Sequence, residues 1–127
     1  MTSTSATVLV VDDDATIRLL LGAGLANLGF CVLEADNGHT ALELFRTRRP
    51  DLVLIDVSMP GLNGFQLVRA MHSMLGGAFL PLVMLTGSDD LETRRKALEA
   101  GATDVITKPF QLRSLANFLH GLLKEAV

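Results

Sequence analysis

The chain has little of what marks several large classes of protein. It contains a single cysteine, Cys31, among 127 residues. No intrachain disulfide can form, and a reducing, cytoplasmic compartment is expected. Cys31 sits in an apolar stretch, where a small buried hydrophobe is expected. Positive charge is not in excess, with 11 Lys and Arg against 14 Asp and Glu and a net charge of −3. The chain as a whole therefore carries no electrostatic footprint for nucleic acid. Residues Met1 to Thr7 are polar and lack a basic segment, unlike a signal peptide. The richest apolar stretch, residues 17–33, is interrupted by Arg18, Asn27 and three glycines, which argues against a membrane span. His39, His72 and His120 are far apart and show no metal-ligand spacing, so each is expected on the solvated surface.

What the chain does have is a regular alternation of short apolar runs and longer segments of helical period. The runs are Thr7 to Val11, Phe30 to Glu34, Leu52 to Ile55, Leu80 to Leu85 and Thr103 to Ile106. The first helix is expected to start at Asp14 or Ala15 and to end before Gly29, with Ile17, Leu20, Leu21, Gly24 and Leu28 inward. Further helices are expected over Thr40 to Arg48 (Ala41, Leu44 and Phe45 inward), Phe65 to Ser73, Asp89 to Glu99 and Gln111 to Lys124. Asn37-Gly38, Pro60-Gly61 and Asn63-Gly64 carry turn chemistry. The third and fourth runs are continuously apolar, as strands covered on both faces require. Five strand–helix units in 127 residues imply one doubly wound α/β sandwich, a (βα)5 fold with helices on both faces of a parallel sheet.

In such sheets the site lies beyond the carboxyl ends of the strands, where the winding reverses. The residues at those ends are Asp12-Asp13-Asp14, Asp56, Thr86 and Lys108. Taken singly, each has a plain explanation. Acidic residues before a helix cap its free amides; an aspartate or threonine caps a loop; a lysine is solvated. Their joint occurrence, in order and one set per strand end, points instead to a common pocket. Clustered carboxylates need a cation, and magnesium takes one or two carboxylates while keeping several waters. A carboxylate so screened can act as a nucleophile and form an acyl phosphate. Thr86 and Lys108 can donate to the incoming oxygens. The X-Pro bond Lys108-Pro109 can be cis, a bend that would turn Lys108 toward the pocket.

These residues lie in stretches that resemble the receiver domain of two-component response regulators: VLVVDDDATIR at 8–18, DLVLIDVSMPGLNGF at 51–65, PLVMLTG at 81–87 and ALEAGATDVITKPF at 97–110. The resemblance covers nearly the whole chain, with residues 1–6 as a flexible start and 7–125 as the receiver. It implies a flavodoxin-like sheet in order 2-1-3-4-5. It also implies that Asp56 accepts phosphate from a histidine kinase or histidine phosphotransfer protein. By the same resemblance Asp13 and Asp56 bind Mg²⁺ directly, Asp12 through water, and Ser58 through its main-chain carbonyl, while Thr86 and Lys108 engage the phosphoryl oxygens. The chain would be a phospho-accepting switch, assisting its own phosphorylation and dephosphorylation, rather than an enzyme. Its partner would be a downstream protein or, on phosphorylation, a second copy of the chain.

Two positions depart from the family pattern. Receivers often carry Tyr or Phe three residues before the lysine, where this chain has Val105, and it has no Tyr at all. Gly87 stands where alanine is frequent and loosens the loop after Thr86. A different class, the haloacid-dehalogenase-type phosphatases, shares an Asp12-x-Asp14-x-Thr16 start but needs an acidic pair after the lysine, and none follows Lys108. Output remains two-sided. Val127 comes soon after the last helix with no linker or basic recognition helix, which favours a stand-alone receiver. The alternative is an N-terminal receiver module cut from a longer regulator with DNA-binding or enzymatic output.

Overall fold

A computed structural model of the chain describes residues 5–57, 59, 63–87 and 90–125. Residues 1–4 of the expected flexible start, the expected turn at Pro60-Gly61, and Asp89 at the expected start of the fourth helix lie outside the described residues. The elements are β1 (Thr7–Val11), α1 (Ala15–Asn27), β2 (Cys31–Ala35), α2 (Gly38–Arg48), β3 (Leu52–Asp56), α3 (Gly64–Leu75), β4 (Leu82–Thr86), α4 (Leu91–Ala100), β5 (Asp104–Thr107) and α5 (Leu112–Glu125). The five strands form one parallel sheet in the order β2-β1-β3-β4-β5, as the resemblance implied.

Side-chain alternation along the strands supplies two cores. Leu9, Val11, Val53, Ile55, Leu82 and Met84 pack with Ala41 and Phe45 of α2, Leu67, Val68 and Met71 of α3 and Ala97 of α4. Val8, Val10, Leu52, Leu54, Val83 and Leu85 point the other way, against Leu21 and Leu25 of α1 and Leu115, Ala116 and Leu119 of α5. β3 and β4 are buried at every position, which is why their sequences read as unbroken apolar runs.

Two expectations about burial need correcting. Leu20 is 68% exposed, and Leu25, fully buried, takes the inward place assigned to it. α1 is apolar on nearly every side, with Leu19, Leu20 and Leu21 in succession, so periodicity alone could not fix its phase. Packing on the sheet fixes it through the i, i+4 pair Leu21 and Leu25. Cys31 is exposed rather than buried. It is the first residue of β2, which pairs with β1 alone and so forms an edge of the sheet. The three histidines are exposed as expected, and His120 stacks on Phe30 with ring centroids 4.5 Å apart.

Two asparagines expected in turns are helix caps. Asn37 accepts from the Thr40 amide at the start of α2. Asn63 and Gln66 form a reciprocal capping box at the start of α3. Gly64, the first residue of α3, has a stricter reason to be glycine. A Cβ there would stand 2.5 Å from the Asp56 carbonyl oxygen and 2.9 Å from Val57 Cα. Only a bare backbone lets α3 begin so close to the end of β3.

Candidate functional site

Strand register sets the level of each polar residue. Val11 pairs with Ile55, Ile55 with Met84 and Met84 with Val105. Asp12 and Asp56 are therefore the next residues on adjacent strands, level at the carboxyl edge. Thr86 ends β4 opposite Thr107, and Lys108 follows directly. The winding reverses between β1 and β3, so the crevice opens beside these two aspartates.

Asp12 is 1% exposed. Its amide donates to the Ala35 carbonyl at 3.1 Å, and its Oδ1 accepts from the Asp14 amide at 2.9 Å. Its Oδ2 is a buried oxygen with no hydrogen-bond partner. Burial holds the Asp12 carboxyl above its ordinary pKa, the Asp14 amide partly offsets this, and the negative charge of Asp56 adds to it. Asp13 is exposed, yet Asp12, Asp13 and Asp56 each offer a carboxylate oxygen within 4.8 Å of the others. Three carboxylates at that spacing, one of them with a buried oxygen that has no partner, fit a hard divalent cation. Asp14 takes no part in this group. It is the N-cap of α1, its Oδ1 accepting from Thr16 N at 2.9 Å and Ile17 N at 3.2 Å.

Asp56 is 8% exposed, and Lys108 Nζ stands 3.5 Å from its Oδ1. Thr86 is also buried, and its carbonyl accepts from the Lys108 amide at 2.7 Å. The Lys108-Pro109 bond is cis. The structure thus brings together Asp12, Asp13, Asp56, Thr86 and Lys108 at one edge; Ser58 lies outside the described residues.

Sequence reasoning passed over one neighbour. Arg18, on the first turns of α1, donates from Nη1 to the Asp12 carbonyl at 2.8 Å and pairs through Nε with Glu34 of β2 at 3.3 Å. The available signal was its isolation, since it is the only charged residue between Ala15 and Leu28. The basic run Arg94-Arg95-Lys96 on α4 is also less free than its sequence suggests. Arg94 pairs with Asp104, and Arg95 with Glu92 and Glu99.

The chain matches the family model described as response regulator receiver domain over residues 8–120. It is 37% identical over 119 residues to the phosphate regulon transcriptional regulatory protein PhoB of Pseudomonas aeruginosa, covering 94% of this chain and 52% of PhoB. It is 40% identical over 118 residues to the response regulator MprA of Mycolicibacterium vanbaalenii, covering 93% of this chain and 50% of MprA. The chain thus spans about half the length of these curated relatives. Among solved structures, the chemotaxis protein CheY4 of Vibrio cholerae superposes with a TM-score of 0.87 at 33% identity, covering 93% of this chain and 98% of that one. A CheY-like receiver domain of Methanospirillum hungatei superposes with a TM-score of 0.89 at 28% identity, covering 97% of each.

Proposed function

The chain belongs to the response regulator receiver family, and on that premise we propose that Asp56 accepts a phosphoryl group from a histidine kinase or a histidine phosphotransfer protein. Mg²⁺ would be held by Asp13 and Asp56 directly, with Asp12 behind a water and the Ser58 carbonyl completing the set. One observation carries the proposal: the carboxylates of Asp12, Asp13 and Asp56 converge within 4.8 Å, and Lys108 Nζ stands 3.5 Å from the same Asp56.

Each residue has a part in the transfer. An Asp56 carboxylate oxygen forms the new P–O bond as the P–N bond of the donor phosphohistidine breaks and the imidazole departs. Lys108 offers its ammonium, and Thr86 its hydroxyl, to the phosphoryl oxygens. A bound Mg²⁺ supplies screening of the carboxylates and a counter-charge for those oxygens. The reading is a signalling switch and not an enzyme acting on an outside substrate. The dehalogenase-type alternative finds no support, because the family match over residues 8–120 is to the receiver domain.

Output divides two ways. Coverage of half of PhoB favours a module that works beside an output domain. The other form is a receiver acting through a protein partner, and the chain also superposes on the chemotaxis protein CheY4. Either form would work in the cytoplasm, and among the described residues no helix is long and apolar enough to cross a membrane. The complete open reading frame of the gene separates the two.

The test of the acceptor is direct. Incubation with a small phosphodonor and Mg²⁺ should add one phosphoryl mass to the protein, and chelation should suppress it. An adduct at wild-type level in Asp56→Asn would overturn the assignment.

A further inference from the structure

Arg18 is placed to act on the acidic group without belonging to it. Its side chain is 17% exposed and holds two partners at once. Nη1 donates to the Asp12 carbonyl at 2.8 Å, and Nε faces Glu34 Oε1 at 3.3 Å. Glu34 can reach this position because Gly22 leaves room. A Cβ on Gly22 would stand 2.9 Å from Glu34 Oε2. The Asp12 peptide is thus fixed from several sides, by the Ala35 carbonyl at its amide, the Asp14 amide at its carboxylate and Arg18 at its carbonyl. The carbonyl of Asp12 belongs to the peptide unit that leads into Asp13. Holding that oxygen sets the direction in which the Asp13 carboxylate leaves the strand end.

We propose that Arg18, braced by Glu34, is a positioning residue that orients the Asp12-Asp13 peptide so that both carboxylates converge with Asp56. The inference rests on the reading of this group as a divalent-cation site.

Two physical roles for Arg18 give opposite signs. As a mere cation near three carboxylates, Arg18 would oppose a second cation, and its removal would tighten Mg²⁺ binding. As a positioning residue, it preorganises the ligands, and its removal should weaken binding by about 10-fold or more, the usual scale for a group that orients a metal ligand. The fork of a guanidinium can serve a carbonyl and a carboxylate together, whereas an ammonium is a single point charge. Arg18→Lys should therefore restore charge but only part of the affinity. Glu34→Gln, which leaves Arg18 a neutral acceptor in place of its ion pair and so a weaker brace, should weaken Mg²⁺ binding in the same direction.

The experiment is Mg²⁺ titration of the wild-type chain, Arg18→Gln, Arg18→Lys and Glu34→Gln by calorimetry, well below each variant's melting temperature. Amide spectra report the fold of each variant. The expected result is weaker binding by Arg18→Gln, intermediate binding by Arg18→Lys and a native-like amide spectrum outside residues 10–36. Unchanged or tighter binding by Arg18→Gln overturns the positioning role while leaving the cation site intact. Failure of the wild-type chain to bind Mg²⁺ overturns the site reading itself, and the inference with it. If Arg18→Gln does not fold, Arg18→Lys and Glu34→Gln decide, and wild-type affinity in both overturns the role.

Discussion

Lys108 Nζ stands 3.5 Å from Asp56 Oδ1, joining residues 52 positions apart in the chain. The ammonium occupies ground that a cation and a phosphoryl group would both use. Replacing it with the similarly long, uncharged Met should therefore separate two properties. Lys108→Met should bind Mg²⁺ more tightly, because a competing positive charge is gone. It should accept phosphate from a small donor about 10-fold more slowly, as expected when one charge-assisted hydrogen bond to the phosphoryl group is removed. Metal titration and labelling rates on the same preparation check both. Movement of the two quantities in the same direction would contradict this placement of the lysine.

The carboxyl of Asp12 is buried, and burial raises its pKa above the unfolded value of 3.8. The folded state then keeps its proton to a higher pH than the unfolded state does. The resulting penalty is absent below about 3.8, grows between the unfolded and the folded value and is complete once pH passes the folded one. Asp12→Asn keeps an acceptor for the Asp14 amide and removes the charge. In magnesium-free buffer it should melt at a higher temperature than the wild-type chain at pH 7. That advantage should shrink as pH falls toward 4. A constant difference across this range would point to a cause other than ionisation.

Adjacent acidic residues on this edge do different work. Asp13 belongs to the converging carboxylates, while Asp14 caps α1 through Thr16 and Ile17. Asp13→Ala should weaken Mg²⁺ binding by about 10-fold or more, because on the proposed reading a direct ligand is removed. Asp14→Ala should leave it nearly unchanged and reduce stability by about 0.5–2 kcal/mol. Calorimetric titration with denaturant melts separates the two variants.

Much of this was legible in the sequence because the fold writes its topology into strand burial. Continuous runs such as LVLI and LVML could only be doubly covered strands, and the residues ending them had to share an edge. An acidic cap at the start of α1 was legible for a local reason, since Asp14 stands directly before the first helical residue. What depended on partners distant in sequence was not. The phase of α1 was set by the sheet beneath it, which exposed Leu20 and buried Leu25. The exposure of Cys31 followed from the edge position of β2, a property of strand order alone. The pairing of Arg18 with Glu34 joins α1 to the neighbouring strand, and no local pattern signals it.

The exposed leucines of α1 suggest where a donor could approach. Leu19 and Leu20 are 59% and 68% exposed, on the helix that starts beside the acidic group. Ile17, Leu20, Leu21, Phe110 and Leu112 line a shallow apolar hollow between α1 and the start of α5. A helical phosphotransfer partner with an apolar face suits this surface. Leu20→Glu should slow transfer from a cognate phosphohistidine protein by about 10-fold, the scale of removing one apolar anchor from an interface, without changing labelling by a small donor. Equal transfer rates would remove α1 from the docking surface.

Phosphate on Asp56 should draw Thr86 and Lys108 toward its oxygens, and the consequence depends on what they are attached to. Thr86 ends β4, its carbonyl holds the Lys108 amide, and the chain continues from it toward Asp90, the N-cap of α4. α4 is in turn fastened to β5: Arg94 Nη1 lies 3.3 Å from Asp104 Oδ1, and Nη2 lies 3.5 Å from the Val105 carbonyl. Val105 itself is 6% exposed, β-branched and short. It has no ring to swing into space that Thr86 vacates. Movement should therefore pass through the backbone into α4 and from there through the Arg94 hydrogen bonds to β5, with the Val105 side chain nearly still. Amide spectra with and without beryllofluoride should show shifts over residues 90–100 and at Asp104 and Val105, while the Val105 methyl signals change little. Arg94→Ala should leave the α4 shifts in place and reduce those at Asp104 and Val105. Shifts confined to the pocket, with none in residues 90–100, would mean that this receiver does not signal through α4.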